Sequence, residues 1–345
     1  MPYSGVDWTV ALADPIALRV RGLFLAEGRL VIEGLLASGR GDAIVSVLAT
    51  PAAAQALALE ARLGDRLEIR SPREMEAVTG FNFHRGVLAL VRRPETLTVD
   101  DVLSMGVSVP PLTCPDRRAS ATATSGDGVT AASGDGASSS APGATATSVD
   151  GAVAGADVIE GSAVAVGDSR LPTPDSRALL VVLEHLVDVD NIGSCFRNAR
   201  AFGAVGVLID DRCADPLYRK AVRTSQGAVL DVPWAAAPID RILASLARDG
   251  VSSIGMTPRG VAGGRAPAPL ADVIAGLDPQ RPAAVVVGNE GSGLSAEALA
   301  ACTHLACIRM ATGADSINVA TALAIALYQI TEGSGLRAQG SEGGP

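Results

Sequence analysis

Three segments of the chain place polar residues directly after apolar runs, where their side chains could do chemistry. The first carries Asn191 and Arg197, the second carries Glu290 in a glycine-rich loop, and the third carries Ser316 and Asn318. In an open α/β sheet, the loops after the strands meet at one edge and form the ligand site. Arginine can bind phosphate, whereas Glu290 repels phosphate and suits a ligand with hydroxyl or amine donors, or a cation.

Each segment also has a plainer interpretation. Asn191 could simply cap a helix whose Arg197 faces solvent, and Ser316 could be another N-cap. The glycine-rich loop could be an ordinary tight turn. Asn318 is a poor helix former in the first turn of a predicted helix, which favours a side-chain task. Asn191 and Arg197 are six residues apart, and we expect them nearly two turns apart near one helical face.

The elements that must position these residues follow from the apolar pattern. Residues 178–330 alternate apolar runs with helical segments, which predicts roughly five or six parallel strands covered by helices. The predicted strands are 178–183, 204–209, 251–256, 283–287 and 305–308, and the predicted helices are 192–202, 216–224, 239–248, 295–302 and 319–330.

A smaller α/β pattern precedes it and predicts a compact domain of about 95 residues. Its predicted strands are 43–48, 66–69 and 86–91, and its predicted helices are 30–38, 51–63 and a helix that begins with a capping box at Ser71–Glu74 and runs to about Val78.

The middle of the chain has a different composition. Residues 119–149 contain no aromatic residue, no Leu and no Ile, and the tetrapeptide SGDG occurs twice. Such a stretch buries too little apolar surface to offset its ordering entropy. We therefore predict a flexible low-complexity linker at 112–175, between domains at 1–111 and 176–335, with a frayed tail at 336–345. A poorly patterned folded domain is the alternative for the middle segment.

Charge and composition narrow the function classes. The 345 residues carry a net charge of −9, which divides into +1 for residues 1–94, −8 for 95–176 and −2 for 177–345. The nearly neutral ends can each carry a local basic patch for nucleic acid. Aromatic residues make up 3% of the chain, which argues against stacking platforms for single-stranded nucleic acid.

The expected location is the cytoplasm. No apolar run approaches the ~18 to 20 residues of a membrane span, and the start of the chain lacks a leader pattern. Five scattered cysteines argue against a disulfide framework. Cys302, His304 and Cys307 have no fourth ligand nearby, so no metal site is predicted, and Cys195 is interpreted as a small core residue.

The three polar segments together resemble the motifs of the SpoU/TrmH family of RNA ribose methyltransferases, within the SPOUT superfamily. N-I-G-x-x-x-R-N-A matches Asn191–Ala199, G-N-E-G-x-G-L-S matches Gly288–Ser295, and S-I-N-V-A at Ser316–Ala320 is similar to the third motif. Two N-terminal elements, Phe24–Gly28 and Phe83–Ala89, are similar to the family's ribosomal-protein-like RNA-binding domain.

The resemblance implies an α/β fold with a C-terminal SPOUT-type parallel sheet containing a deep trefoil knot, and a smaller N-terminal α/β ribosomal-protein-like RNA-binding domain. It implies transfer of a methyl group from S-adenosylmethionine to a ribose 2′-hydroxyl of rRNA or tRNA, with 23S-type rRNA favoured, by a homodimer. A knotted RNA-binding regulator without methyl transfer is the alternative. The absence of G-x-G-x-x-G disfavours a dehydrogenase.

The resemblance also assigns roles to residues. The implied catalytic residues are Asn191, Arg197, Glu290, Ser316 and Asn318. The implied cofactor-binding residues are Gly288, Asn289, Gly293, Ile308, Met310, Ile317 and Asn318. The RNA-contact candidates are His84, Arg85, Arg219, Lys220, Arg223 and Ser225, with a purely structural role left open for His84. Arg309 stands where the family usually has proline, which either loosens the cofactor loop or adds a phosphate contact.

Overall fold

The computed structural model describes residues 6–80, 86–105, 177–258 and 264–336. All of them belong to one compact unit. The predicted linker core, the tail from residue 337, and the RNA-contact candidates His84 and Arg85 lie outside the described residues.

The helices are α1 (Trp8–Ala13), α2 (Pro15–Val20), α3 (Arg29–Ala37), α4 (Pro51–Ala56), α5 (Leu59–Leu63), α6 (Pro72–Thr79), α7 (Val99–Ser104), α8 (Val189–Ala201), α9 (Arg219–Thr224), α10 (Ala228–Asp231), α11 (Ile239–Arg248), α12 (Leu270–Gly276), α13 (Ala296–Ala301) and α14 (Val319–Leu336). The strands are β1 (Leu23–Glu27), β2 (Ile44–Ala49), β3 (Leu67–Ile69), β4 (Val87–Arg92), β5 (Leu179–Leu183), β6 (Gly206–Asp210), β7 (Trp234–Ala237), β8 (Ser252–Met256), β9 (Ala268–Pro269), β10 (Ala283–Val287) and β11 (His304–Cys307).

The N-terminal sheet has the order β1-β4-β2-β3, in which β4 is antiparallel to both neighbours and β3 is parallel to β2. The predicted capping box is present, since the Ser71 hydroxyl and the Glu74 carboxylate each accept a backbone N–H. The predicted helix 51–63 is divided into α4 and α5 at Ala58, whose φ is 49°. The break lies between Leu57 and Leu59, which are both buried.

The C-terminal sheet has seven strands in the order β7-β6-β5-β10-β8-β11-β9, and every pairing is parallel. Strands β5, β6 and β10 are buried along their whole length, as expected when helices cover both faces of a parallel sheet. The predicted parallel α/β architecture is confirmed. The edge strands β7 and β9 were not predicted, because four and two residues carry too little periodicity. The trefoil knot stays a prediction.

The chain already packs against the C-terminal sheet before residue 106. Leu97 forms a β-bridge with Ala235 on β7. Val99 and Val102 of α7 are buried in the same hydrophobic cluster as Leu208 of β6. Residues 97–104 therefore contribute to the core of the C-terminal sheet rather than to that of the N-terminal sheet.

Ion pairs connect the N-terminal elements to the C-terminal ones at several places. Arg93 donates two hydrogen bonds of 2.8 Å to the carboxylate of Asp215. Arg40 contacts the carbonyl of Leu230 and the carboxylate of Asp231. These contacts, together with that of Glu27 described below, set the position of α3 relative to α8 and α9.

Candidate active site

Helix α8 supplies two of the predicted catalytic side chains. Its apolar face follows the helical spacing i, i+3, i+4, i+7 and is buried, at Ile192, Cys195, Phe196 and Ala199. Asp188 is the N-cap, and its carboxylate accepts the N–H of Asp190. The interpretation of Asn191 as a helix cap is therefore wrong, because Asn191 lies inside the first turn.

A chain of side-chain hydrogen bonds joins the three motif segments. Asn191 Nδ2 donates to Glu290 Oε1 at 2.9 Å. Asn318 Nδ2 donates to Asn191 Oδ1, also at 2.9 Å. Asn318 Oδ1 accepts the backbone N–H groups of Ala320 at 2.9 Å and Thr321 at 3.2 Å. Asn318, and not Ser316, therefore caps α14.

The donors and acceptors in this series of hydrogen bonds allow only one orientation for the side-chain amide of each asparagine. An ionised carboxylate only accepts hydrogen bonds, so Asn191 must present its NH2 group to Glu290. The oxygen of Asn191 then requires the NH2 group of Asn318. The oxygen of Asn318 in turn faces the N–H groups of α14, as an N-cap requires. The start of α14 thus fixes the orientation of the Glu290 side chain through two asparagines.

The loop after β10 is held by its own side chains and backbone. Asn289 Oδ1 accepts two backbone N–H groups and one hydroxyl group from residues 291–292. Asn289 Nδ2 donates to the carbonyl of His185 at 2.9 Å. Gly293 has a φ of 74°, and a Cβ on Gly288 would lie 2.5 Å from the backbone of Gly293. The glycines are therefore needed to close this loop.

Glu184 is a buried carboxylate that the sequence reasoning did not assign. It follows β5 directly, and its Oε2 accepts the backbone N–H of Ser295 at 3.0 Å. Arg212 lies 3.6 Å from its other oxygen and 2.8 Å from the buried Asp210. Glu184 thus fixes the end of the glycine-rich loop to the end of β5. A carboxylate directly after an apolar strand was the signal that could have identified it.

The third motif segment lies between β11 and α14. Residues 308–318 are half-buried or exposed throughout, and the implied cofactor residues Ile308 and Met310 are half-buried. Ile317 and Ser316 are exposed. Arg309 is 3.9 Å from the carboxylate of Asp272, and both side chains are mostly exposed. Arg309 is therefore available at the surface of this segment.

Arg197 faces a different environment from Asn191. It lines a cavity of about 590 Å³ together with Glu27, Arg29 and Arg223, and within the described residues its guanidinium group makes no hydrogen bond or ion pair. Six residues of α-helix correspond to about 600° of rotation, so Arg197 lies about 120° around the axis from Asn191. The structure brings Asn191, Glu290 and Asn318 together, but it gives no contact from Arg197 to any of them.

Helix α9 carries the predicted RNA-contact residues. Arg219 and Arg223 each lie 3.4 Å from the carboxylate of Glu27, which is 2% exposed. Glu27 belongs to the motif-like Phe24–Gly28 element, but its ion pairs were not predicted.

Lys220 and Ser225 differ in what they offer to a ligand. Lys220 forms a 2.7 Å ion pair with Asp190. This hydrogen bond from Lys220, together with one from Thr224, lowers the pKa of Asp190, and the bond to Asp190 raises the pKa of Lys220. Ser225 is fully buried and donates to the carbonyl of Val222, so in this structure it has a structural role and no surface for RNA.

Three of the cysteines in the described residues are not activated nucleophiles. Burial raises the pKa of Cys195, that of Cys213 to about 12 and that of Cys302 to about 11. In the parts of the chain that the structure describes, no group of three or more His, Cys, Asp and Glu side chains could hold a metal ion. Within the same parts, no helix is long and apolar enough to span a membrane.

Comparison with protein families matches residues 178–328 to the SpoU rRNA Methylase family. These residues include all three motif segments and the seven-stranded sheet. This part of the chain is therefore similar to that family.

Similar proteins are found in several bacteria. An uncharacterised tRNA/rRNA methyltransferase of Mycobacterium tuberculosis is 40% identical over 186 residues, which is 52% of this chain and 62% of that protein. A protein of the same description from Synechocystis is 34% identical over 46% of this chain and 55% of its own length. The chain thus matches less than two thirds of the length of either relative.

Solved structures have the same fold over most of the chain. The SpoU methyltransferase AviRb from Streptomyces viridochromogenes superposes with a TM-score of 0.62 at 20% identity, over 96% of this chain and 97% of that chain. An AdoMet-bound rRNA methyltransferase from Sinorhizobium meliloti has a TM-score of 0.61 at 20% identity, over 95% of this chain and 93% of that chain. The likeness in fold therefore extends beyond residues 178–328 to the N-terminal elements.

Proposed function

We propose that this chain is an S-adenosylmethionine-dependent RNA methyltransferase that methylates a ribose 2′-hydroxyl, with rRNA favoured over tRNA. The single observation that carries the proposal is the hydrogen-bonded chain Glu290–Asn191–Asn318, because it joins all three motif segments into one site. The relatives from Mycobacterium tuberculosis and Synechocystis, which are described as tRNA/rRNA methyltransferases, support this proposal.

The loops after β10 and β11 suit S-adenosylmethionine. The loop at Gly288–Gly293, which is held by hydrogen bonds to Asn289, and the exposed or half-buried segment at Ile308–Asn318 offer backbone groups but no cluster of cations. Such groups suit the hydroxyl and amino groups of the cofactor, with Gly288, Asn289, Gly293, Ile308, Met310, Ile317 and Asn318 as the proposed contacts. When bound, the cofactor supplies an electrophilic methyl group on a sulfonium sulfur.

Arg197 is proposed to bind the RNA. Arginine stays protonated in proteins, so its guanidinium group acts as a phosphate clamp and as a positive charge beside the reacting hydroxyl. Asn191, Glu290 and Asn318 are proposed to hold the ribose and cofactor loops in register, since orientation supplies much of the rate of a two-substrate reaction. Ser316 is proposed to contact the substrate from its exposed position beside Asn318.

The test measures transfer of tritium from labelled S-adenosylmethionine to unmodified transcripts of 23S rRNA, 16S rRNA and tRNA in separate reactions. Nuclease digestion and mass spectrometry then identify the methylated nucleoside. We expect a 2′-O-methyl nucleoside in one RNA class and a loss of about 100-fold in Arg197→Ala. Arg241→Ala, an exposed arginine on α11, is the matched control and should keep full activity.

Several outcomes would contradict the proposal. Label on a base rather than on ribose would refute the 2′-hydroxyl assignment. Absence of label in all three RNA classes, from a folded protein that binds RNA in filter binding, would favour the RNA-binding regulator. Calorimetry with S-adenosylmethionine completes the test, because the regulator alternative predicts no cofactor binding.

The implied homodimer and cytoplasmic location are part of the same proposal. The exposed residues of the third motif segment and the exposed Tyr328 of α14 leave surface for a second copy beside the site. Sedimentation velocity of the full chain checks the dimer, and a monomer that retains full activity would refute it.

A further inference from the structure

The cavity beside Arg197 is built by two parts of the chain. The corner between β1 and α3 supplies Glu27 and Arg29, and α8 and α9 supply Arg197 and Arg223. The one carboxylate among these lining residues, Glu27, is already engaged by arginines of α9. At about 590 Å³ the cavity falls within the usual size of a small-ligand pocket. The cavity therefore combines an excess of positive charge with room for a nucleotide.

Helix α3 begins at the wall of this cavity. Its N-cap, Gly28, has a φ of 101° and no side chain to accept the first N–H groups. Among the described residues, no acceptor is present for the N–H groups of Arg29, Leu30 and Val31. The first turn thus directs partial positive charge toward the cavity that these same residues line.

Arg29 is an unfavourable residue for its position. A cation in the first turn opposes the helix dipole, where an acid would stabilise the helix. Arg29 is exposed, so it is not required to fill the core. A residue type that costs local stability at the mouth of a cationic cavity is expected where it serves a ligand.

We infer that this cavity binds a backbone phosphate of the RNA, between the N-terminus of α3 and the guanidinium groups of Arg29 and Arg223. The inference deepens the proposed function and rests on it, since it takes RNA to be the substrate. A phosphate at this position lies beside Arg197 and fixes the adjoining nucleotide. Glu27 is then a positioning residue, which holds Arg223 against the cavity wall.

The test uses the full chain and a fluorescein-labelled RNA hairpin, with affinity measured by fluorescence anisotropy from about 50 to 200 mM salt. The slope of log K against log salt is negative, and the loss of one phosphate contact makes it shallower by about 0.7 to 0.9. We expect this loss in Arg29→Gln, with an affinity about five- to tenfold weaker at the lowest salt. Arg62→Gln, an exposed arginine on α5 that does not line the cavity, should keep the wild-type slope. Equal slopes for wild type and Arg29→Gln would overturn the inference.

A second variant separates binding from folding. Leu30 lines the cavity and is 63% exposed, and an acid there is favoured by the helix dipole. Leu30→Glu should therefore keep or raise the unfolding temperature while it weakens RNA binding. If stability and RNA binding fell together, the loss would be structural and the inference would fail.

Cofactor binding distinguishes this inference from the proposed function. Calorimetry with S-adenosylmethionine should give the same affinity for wild type and Arg29→Gln. A loss of cofactor affinity in Arg29→Gln would assign the cavity to the cofactor and overturn the RNA assignment. If no RNA is methylated but the salt slope still depends on Arg29, the proposed function fails while the phosphate site stands.

Discussion

The two polar regions of this molecule are assembled in opposite ways. The three-loop site consists of side chains at the edge of the sheet, joined by neutral amides that end on the exposed Glu290. The Glu27 cluster, formed by Glu27, Arg219 and Arg223, buries the carboxylate of Glu27 between the two arginines. Exposed amides cost little to desolvate, whereas a buried charge is stable only while its partners remain.

Because of this difference, mutations in the two regions should have different consequences. At the three-loop site, a broken hydrogen bond should disturb the orientation of the loops and leave the fold intact. At the Glu27 cluster, removal of a partner should lower the stability first and the function as a result. Four positions test this division.

Glu27→Gln should have the largest effect. The change leaves two half-buried guanidinium groups without their carboxylate, and breaking a buried ion pair costs about 3 kcal/mol. Chemical denaturation of the full chain measures the loss. Glu33→Gln, an exposed position on α3, should change stability by less than about 0.5 kcal/mol. An equally small change in Glu27→Gln would show that the contact is not a stabilising one.

Gly193→Ala should damage both regions at once. A Cβ there would lie 2.6 Å from the carbonyl oxygen of Ala221 and 2.9 Å from Cβ of Thr224, so α8 and α9 would have to separate. Overpacking of this kind costs about 2 kcal/mol after the gain in helix propensity. Thermal unfolding and methyl transfer should decline together. Unchanged stability would mean that the two helices can move apart freely.

Asn318→Asp should affect the reaction without affecting the fold. Aspartate caps a helix as well as asparagine, but the substitution brings a second carboxylate to Asn191. Asn191 presents its amide oxygen to residue 318 and its NH2 group to Glu290, so the introduced carboxylate would face an acceptor unless Asn191 turned its NH2 group away from Glu290. We expect methyl transfer to fall about tenfold or more while the unfolding free energy stays within about 0.5 kcal/mol.

Asn318→Ser is the matched comparison. Serine keeps the cap but cannot reach Asn191, so it loses the link without adding a charge. Its activity should lie between those of wild type and Asn318→Asp. Full activity in both variants would remove the amide chain from the mechanism.

Asp190→Asn should have the smallest effect. The pKa of Asp190 is lowered by Lys220, so its ion pair stabilises the fold above the unfolded-state pKa of about 3.9 and the contribution disappears as pH falls through the lower folded-state pKa. Because the pair is largely exposed, solvent screening limits the effect to about 0.5 kcal/mol. Denaturation at several pH values should show a gap between wild type and variant at neutral pH that closes in acid. A constant gap would exclude an electrostatic origin.

The sequence was sufficient to predict the elements that carry the site. Strand β10 and helix α11 have the predicted bounds, since long apolar runs and strong helical periodicity determine them locally. The motif residues Asn191, Glu290 and Asn318 were identified by type and spacing. The different directions in which Asn191 and Arg197 point were not predicted. Six residues were interpreted as nearly two turns, but they leave the two side chains about 120° apart around the helix axis.

The Glu27 cluster could not have been predicted in the same way. Glu27 and Arg223 are separated by 196 residues, and no local pattern connects them. Their pairing depends on how two independently patterned units pack, which only tertiary structure specifies. The short strands β7 and β9 were missed for the related reason that neighbouring strands, rather than their own residues, stabilise them.

The early return of the chain to the C-terminal sheet has a consequence for how such a protein can evolve. Residues 97–104 pack on β6 and β7, and β5 resumes the same sheet at Leu179. The stretch between them therefore begins and ends at the same sheet. Its length does not determine the distance between the N-terminal and the C-terminal elements. Closing a flexible loop costs only about 0.6 kcal/mol more for each doubling of its length. The sheet can therefore accept a change in the number of residues between Ser104 and Leu179 without a rearrangement of β5, β6 or β7, which makes this position a natural one for grafted tags or domains.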